Sequence, residues 1–231
     1  MRRAIARELM DEPVDDPGEL EANLRDVAFA NAWFGGSAPV VRAVCALGAG
    51  TILDVGSGAA DVPLALANDA ARRGLAVTVT CLDRSEQMLV IARRRTQNHP
   101  ALRFVRAEGE ALPFGDASFD VVTCTLALHH FEPAAARTLL RELRRVARIS
   151  PVVCDLRRSA VAFGLTWLWS RTTRNRLTRH DAPLSVRRAY TPTEALALAR
   201  EAGWHTPHLT NEPFFRMTLT DTSHRSDTSH R

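Results

Sequence analysis

The hydrophobic rhythm of the chain changes at Thr51. Before it, Leu20, Leu24, Val27 and Phe34 recur near helical spacing within GELEANLRDVAFANAWF, which predicts a helix closed by Gly35 and Gly36. Residues 1–35 as a whole read as helical pieces around the proline- and acid-rich break DEPVDDPGE, and a second short helix is expected over about 38–47. From Thr51 onward short apolar runs alternate with longer amphipathic ones. TILDV is apolar without alternation, as in a strand buried on both faces, and AVTVTCLD, LRFVRA, FDVVTCTLAL and SPVVCDL follow as further strands. Between them AADVPLALANDAARRG, SEQMLVIARRRTQNH and PAAARTLLRELRRVAR read as helices, with Ser85 an N-cap and Pro133 in a first turn.

Strands alternating with helices of this length predict a doubly wound α/β sheet, mostly parallel, with right-handed crossovers. Ligands in such sheets lie beyond the carboxyl ends of the strands at the switch point, where residues 54–61, 83–88, 106–110 and 124–131 converge. After the fifth strand the order breaks. An inserted helical segment, apolar in the middle and arginine-rich at both ends, precedes the helix TPTEALALAREAGW and two C-terminal strands expected to form an antiparallel pair. The chain therefore divides into an N-terminal helical cap (1–48), a main domain (49–220) with a lid insert at about 156–190, and a polar tail (221–231). The tail carries DTSHR twice and is expected to be disordered.

Composition narrows the chemistry. With 45% hydrophobic and 24% charged residues over 231 positions the chain has enough apolar material for a sizeable core. All 30 basic residues are arginine, which excludes Schiff-base, P-loop and general-base lysines. The net charge is +4, but the arginines are spread along the chain without a basic–aromatic motif, so no nucleic-acid partner is expected. Cys45, Cys81, Cys124 and Cys154 form no CxxC pair; buried, reduced cysteines are expected and a metal site is not. MRRAIARELMDEP lacks the apolar core of a signal peptide, and AVAFGLTWLW is too short to span a bilayer. A cytoplasmic protein with no membrane span is the expectation.

The stretch LDVGSGAAD carries the candidate chemistry. A dinucleotide fingerprint needs a third glycine three residues after the second, and this chain has Asp61 there. Together with CLDRSEQML, AEGEALPFGDASFDVV and LALHHF, in this order and spacing, it resembles the class I S-adenosylmethionine (SAM)-dependent methyltransferases. Within these it is most similar to the broad group that includes the ubiquinone/menaquinone-biosynthesis enzymes. The resemblance covers about residues 50–155 and weakens toward 220. It implies a Rossmann-like fold, SAM as cofactor, and a small-molecule methyl acceptor for a monomer or homodimer. SAM is a sulfonium cation with a zwitterionic methionine end and no phosphate, which suits acids flanking the turn.

By the resemblance Asp54 holds the methionine amino end, while Gly56, Ser57 and Gly58 let the backbone approach, with Asp61 behind them. Asp83 is placed on the ribose hydroxyls, though an acid before the Ser85 helix also serves the helix terminus. Arg84 and Thr125 flank those strand ends. Met88 packs near the adenine or fills core. The run Glu108-Gly109-Glu110 departs from the family's Gly-Asp-Ala-Glu; Glu108, one methylene longer than the usual aspartate, is the candidate for the adenine amino group. Asn31 is the polar contact expected from the N-terminal segment.

Acceptor chemistry falls on histidines. His129, in the His129-His130 pair, is placed near the transferred methyl, either in catalysis or in ordering the loop. His180 beside Asp181, in RHDAPLSVRRAYTP, is a second candidate base; a loop held by salt bridges is the alternative. That stretch, with Arg187, Arg188 and the lone Tyr190, resembles a subset of bacterial methyltransferases found with natural-product enzymes. Phe163, Trp167 and Trp169 of the insert are candidate pocket lining or core. A phenolic, quinol or polyketide-like acceptor methylated at oxygen is the resulting expectation. C-methylation of a quinone-type precursor and a non-catalytic SAM-binding module stand as alternatives.

Overall fold

The computed structural model describes residues 1–33 and 35–221. The second DTSHR repeat and most of the first, along with Phe34, lie outside the described residues.

Seven strands form one sheet in the order β3-β2-β1-β4-β5-β7-β6. They are β1 (Thr51–Val55), β2 (Thr78–Asp83), β3 (Leu102–Arg106), β4 (Phe119–Thr125), β5 (Ala147–Leu156), β6 (Pro207–Glu212) and β7 (Arg216–Asp221). β1 to β5 are parallel, β7 runs antiparallel to β5, and β6 and β7 pair antiparallel as expected. Strand order reverses between β1 and β4. That is the switch point at which the carboxyl ends leave a crevice.

Side chains of each strand alternate between two cores, as the pleat requires. Leu53, Val55, Val122, Cys124 and Val153 pack on one face with α5 (Pro133–Val146) and α8 (Pro192–Glu201). Ile52, Val121, Val152 and Cys154 pack on the other with α2 (Ala38–Leu47), α3 (Asp61–Arg72) and α4 (Glu86–Arg95). Burial on both faces explains the unbroken apolar runs. Local signals hold at several termini. Ser85 Oγ accepts the Met88 N–H, Thr191 and Glu194 form a capping box, and Pro133 opens α5.

A third cluster closes the top of the sheet. Leu20 and Leu24 of α1 (Pro17–Trp33) join Val14, Ala59 and Leu177, with Met88 and Ile91 against them. The insert is a pair of packed helices, α6 (Ala160–Ser170) and α7 (Arg176–Arg188).

Three local expectations change. The segment before the proline break is an extended strap with a single 3-10 turn at Leu9–Asp11, not a helical piece. Its bonds explain why: the Arg3 guanidinium donates to the carbonyls of His129, Phe131 and Arg188, contacts that a helix would withdraw from. The stretch around Asp181 is helix α7 rather than a loop, even with Pro183 inside it. β5 begins at Ala147, three residues early, because Ala147 pairs with Phe119 and β5 takes up one extra residue in a register shift before Ser150 pairs with Val121. Cys81, Cys124 and Cys154 are buried and free, as expected, whereas Cys45 is free but only half-buried.

Candidate active site

Beyond the carboxyl ends of β1, β2 and β4 lies a cavity of about 1290 Å³. That is larger than a single drug-sized ligand needs and leaves room for a cofactor together with an acceptor. Every residue assigned above to the cofactor, from Asn31 through Asp54, Asp83 and Glu108 to His129, borders it. The strap, α1, α6 and α7 supply the remaining walls.

The glycine turn is built by close approach. Gly56 has φ +74°, and a Cβ there would lie 2.8 Å from the Ala127 Cβ. Its N–H and that of Ser57 both donate to the Leu82 carbonyl, tying the turn to β2. Asp54 is buried, and Thr123 Oγ1 donates to its Oδ1 at 2.6 Å. Burial, reinforced by the Asp83 charge, pushes the Asp54 carboxyl up to about 6. Asp61 opens α3 and is pushed up by burial as well.

The Asp83 carboxylate accepts the Gly58 N–H at 2.8 Å and the Ser85 N–H at 2.9 Å. It therefore performs the helix-terminus role while stitching the glycine turn to α4. A carboxylate has further lone pairs, so this does not preclude ribose hydroxyls. Thr125 Oγ1 is buried with no hydrogen-bond partner and borders the cavity. Asn31 Oδ1 accepts from the buried Arg216, whose Nε has no partner. The donor set decides between ligands. A pyrophosphate on the α3 N-terminus would meet Asp61 and Asp54, whereas a cationic, zwitterionic ligand is matched by them.

Residues 52–149 match the family model described as a methyltransferase domain. Over this stretch the chain is similar to the class I SAM-dependent methyltransferases. The chain is 37% identical over 116 residues to a demethylmenaquinone methyltransferase of Clavibacter sepedonicus, a stretch that is 49% of this chain and 44% of that protein. The chain thus spans less than half the length of that curated relative. A putative methyltransferase of Bacillus halodurans is 25% identical with a TM-score of 0.51, over 69% of this chain and 64% of that one. A putative O-methyltransferase of Nostoc punctiforme, 16% identical with a TM-score of 0.65 over 95% of this chain and 64% of that one, shares the fold. The donor set of the cavity fits SAM: the buried Asp54 and the more open Asp61 and Asp83 for its cationic and hydroxyl groups, an unpartnered hydroxyl at Thr125, and no basic residue on the glycine turn.

A further part of the cavity wall is a largely buried polar network. His129 Nδ1 lies 2.7 Å from Asp155 Oδ1, and the His129 N–H donates to Asp155 Oδ2 at 2.9 Å. Against the cost of burial, the charge and hydrogen bond of His129 hold the Asp155 carboxyl below its usual range. An ionised Asp155 accepts from Nδ1, which leaves Nε2 as the ring nitrogen turned toward the cavity. His130 repeats the arrangement with Asp11, Nδ1 to Oδ1 at 2.7 Å, and the two rings stack 4.3 Å apart. Burial opposes ionisation of Asp11, yet His130 and Arg188 hold its carboxyl well below the carboxylate range.

His180 does not join this group. It does not border the cavity; its side chain is 47% exposed on α7 and hydrogen-bonds its neighbour Asp181. Asp181 does face the cavity, but it accepts the N–H groups of Leu9 and Met10 and so anchors the strap. Of the insert's aromatic residues, Trp169 borders the cavity, while Phe163 and Trp167 do not. Tyr190 is buried and its hydroxyl donates to the Phe131 carbonyl, a structural contact.

Glu8, Asp11, Asp155, Arg188 and Arg216 were not among the expected site residues. Asp155 had a signal, an acid within the apolar run VVCDL. Glu8 and Asp11 had none, because their partners lie more than 100 residues away in sequence.

Proposed function

We propose that the chain transfers a methyl group from SAM to an oxygen of a small, largely apolar acceptor. The observation that carries this reading is the His129–Asp155 pair at the wall of a cavity that also contains the glycine turn. When bound, SAM supplies an electrophilic methyl on a sulfonium.

The chain's own residues would do the rest. Asp54 takes the methionine amino end, and Gly56 and Gly58 let that end lie against the backbone. Asp83 and Glu108 meet the ribose and adenine, and Thr125 offers its free hydroxyl. Asn31 and Met88 close the site from α1 and α4. His129, with Nδ1 fixed by Asp155, presents Nε2 to accept the proton of a phenol or enol hydroxyl. Alignment in a site covered by the strap and the α6–α7 pair supplies most of the rate. Trp169 and Leu165 give the acceptor end an apolar wall.

A second reading is C-methylation of a quinone-type precursor, favoured by the name of the demethylmenaquinone relative. The two differ in the atom methylated. Incubation with methyl-labelled SAM and a panel of phenols, enols and quinols, with NMR assignment of the product, separates them. Methyl on oxygen supports the first reading and methyl on a ring carbon supports the second. SAM binding without transfer to any member of the panel supports a binding module. No binding of SAM would overturn all three.

A further inference from the structure

Three potential metal-ligating side chains, Glu8, His129 and His130, face one another beneath the strap. Glu8 Oε1 lies 3.7 Å from His129 Nε2, and Glu8 Oε2 lies 3.8 Å from His130 Nε2. One ligating atom from each of the three residues falls within 4.8 Å of the others. Both distances are too long for a hydrogen bond. Both imidazoles have their Nδ1 on a carboxylate, Asp155 and Asp11, at 2.7 Å. That arrangement leaves Nε2 as the ring nitrogen of each histidine that faces the Glu8 carboxylate.

Glu8 is 5% exposed, and its Oε1 has no hydrogen-bond partner. The neighbouring cation does not fill the gap. Arg188 Nε is 3.9 Å from Glu8 Oε1, while the guanidinium donates to the His129 and His130 carbonyls and to Asp11. Arg188 and Arg84 are both drawn to Asp11, and Asp181, the next carboxylate, is spent on the strap's N–H groups, so none of them hydrogen-bonds Glu8 Oε1. Buried lone pairs and charges so arranged are costly unless a cation joins them.

We propose that Glu8, His129 and His130 bind a divalent first-row transition ion of the zinc class. Bonds of about 2.0–2.2 Å from imidazole nitrogen and carboxylate oxygen let one ion bridge donor atoms at these separations. Two imidazoles and one carboxylate are a donor set for such ions, and not for magnesium or calcium, which favour oxygen. Asp155 and Asp11 are the outer carboxylates that orient ligating imidazoles. The cavity borders all three ligands, so the ion's open position faces the acceptor. Its function rests on the oxygen-acceptor reading above: with His129 Nε2 on the ion, the ion takes over from the imidazole in favouring the anion of a coordinated hydroxyl, and the hydroxyl proton leaves to solvent. Its binding does not.

The test uses the full chain without an affinity tag, stripped with chelator, and needs neither SAM nor acceptor. Cobalt(II) is titrated and followed by visible absorption, and zinc, manganese and magnesium are titrated by calorimetry. One cobalt or zinc ion per chain is expected, bound more tightly than magnesium, with a rise in melting temperature. Glu8→Gln is expected to weaken cobalt and zinc at least tenfold while leaving every histidine in place. The metal-free melting temperature of that variant shows whether it is folded.

No stoichiometric binding of cobalt or zinc, or equal binding by a folded Glu8→Gln variant, overturns the proposal. Methyl transfer that persists in chelator, from a protein that binds no ion, would overturn this inference and leave the methyltransferase reading standing. An ion bound in a protein that methylates no acceptor would do the reverse.

Discussion

His129 and Asp155 are joined twice, through ring Nδ1 at 2.7 Å and through the backbone N–H at 2.9 Å, and both residues are buried. Residue and ring are thus held together by one carboxylate at the end of β5. This fixes where Nε2 points. His129→Asn is expected to lower kcat by about 10²–10⁴-fold, the usual span for a lost acid–base group, with SAM affinity changed less than threefold. Steady-state kinetics and calorimetry check it. Unchanged turnover on a phenol panel would mean that the pair only orders the loop.

Asp54 makes cofactor affinity depend on pH. Its carboxyl is pushed up to about 6 by burial, so it is mostly protonated in the free protein at pH 5. A cationic ligand needs the charged form. Affinity for the demethylated cofactor is therefore expected to rise as pH goes from 5 to 7 and to level off above. The effect on stability has the opposite sign. The unfolded chain ionises first, near pH 4, so stability is highest below that and is lost as pH rises through about 6. The full loss is about 3 kcal/mol. Asp54→Asn is expected to remove both slopes. A flat calorimetric profile over pH 5–8 in the native protein would contradict the assignment.

Gly56→Ala is expected to destabilise the protein by about 1–2 kcal/mol or more and to weaken SAM binding. Its positive φ disfavours any side chain, and the new Cβ would lie 2.8 Å from Ala127. Denaturant unfolding and calorimetry measure the two effects. Wild-type values for both would show that the turn is not held as described.

The sheet, its order of parallel strands, and the cavity at their carboxyl ends were legible in the apolar runs and helix caps, because these are local signals. So was the glycine turn, where Asp61 in place of a third glycine already pointed away from pyrophosphate. What the sequence could not show was set by distant partners. The strap takes its shape from Arg3 reaching carbonyls near residue 130, and Glu8 becomes a site residue only once that strap lies over the histidines. His180 looked like a base because Asp181 follows it. On helix α7 His180 stays bonded to Asp181 but is half exposed and off the cavity, while the aspartate holds the strap.

Asp120 is the expected acid-sensitive point of the sheet. Its carboxylate accepts the N–H groups of Gly50 and Thr51 at the start of β1 and pairs with Arg148. Against partial burial, those contacts hold its carboxyl down at about 2. With the folded value depressed, its stabilisation is present above pH 4 and is lost as pH falls through 2. Asp120→Ala is expected to cost about 1–3 kcal/mol at pH 7 from the two N–H groups left without an acceptor, the exposed Arg148 adding little. The gap from wild type should close toward pH 2 in urea unfolding series. A gap independent of pH would contradict this account.

The central claim is that the cavity binds SAM and presents an acceptor oxygen to it beside His129. The most direct measurement is methyl transfer from methyl-labelled SAM to a panel of phenols and enols, read by product NMR for the native protein and for His129→Asn. The account predicts label on oxygen with the native protein and a loss of at least a hundredfold with the variant. Label on carbon, or equal transfer by the two proteins, would contradict it.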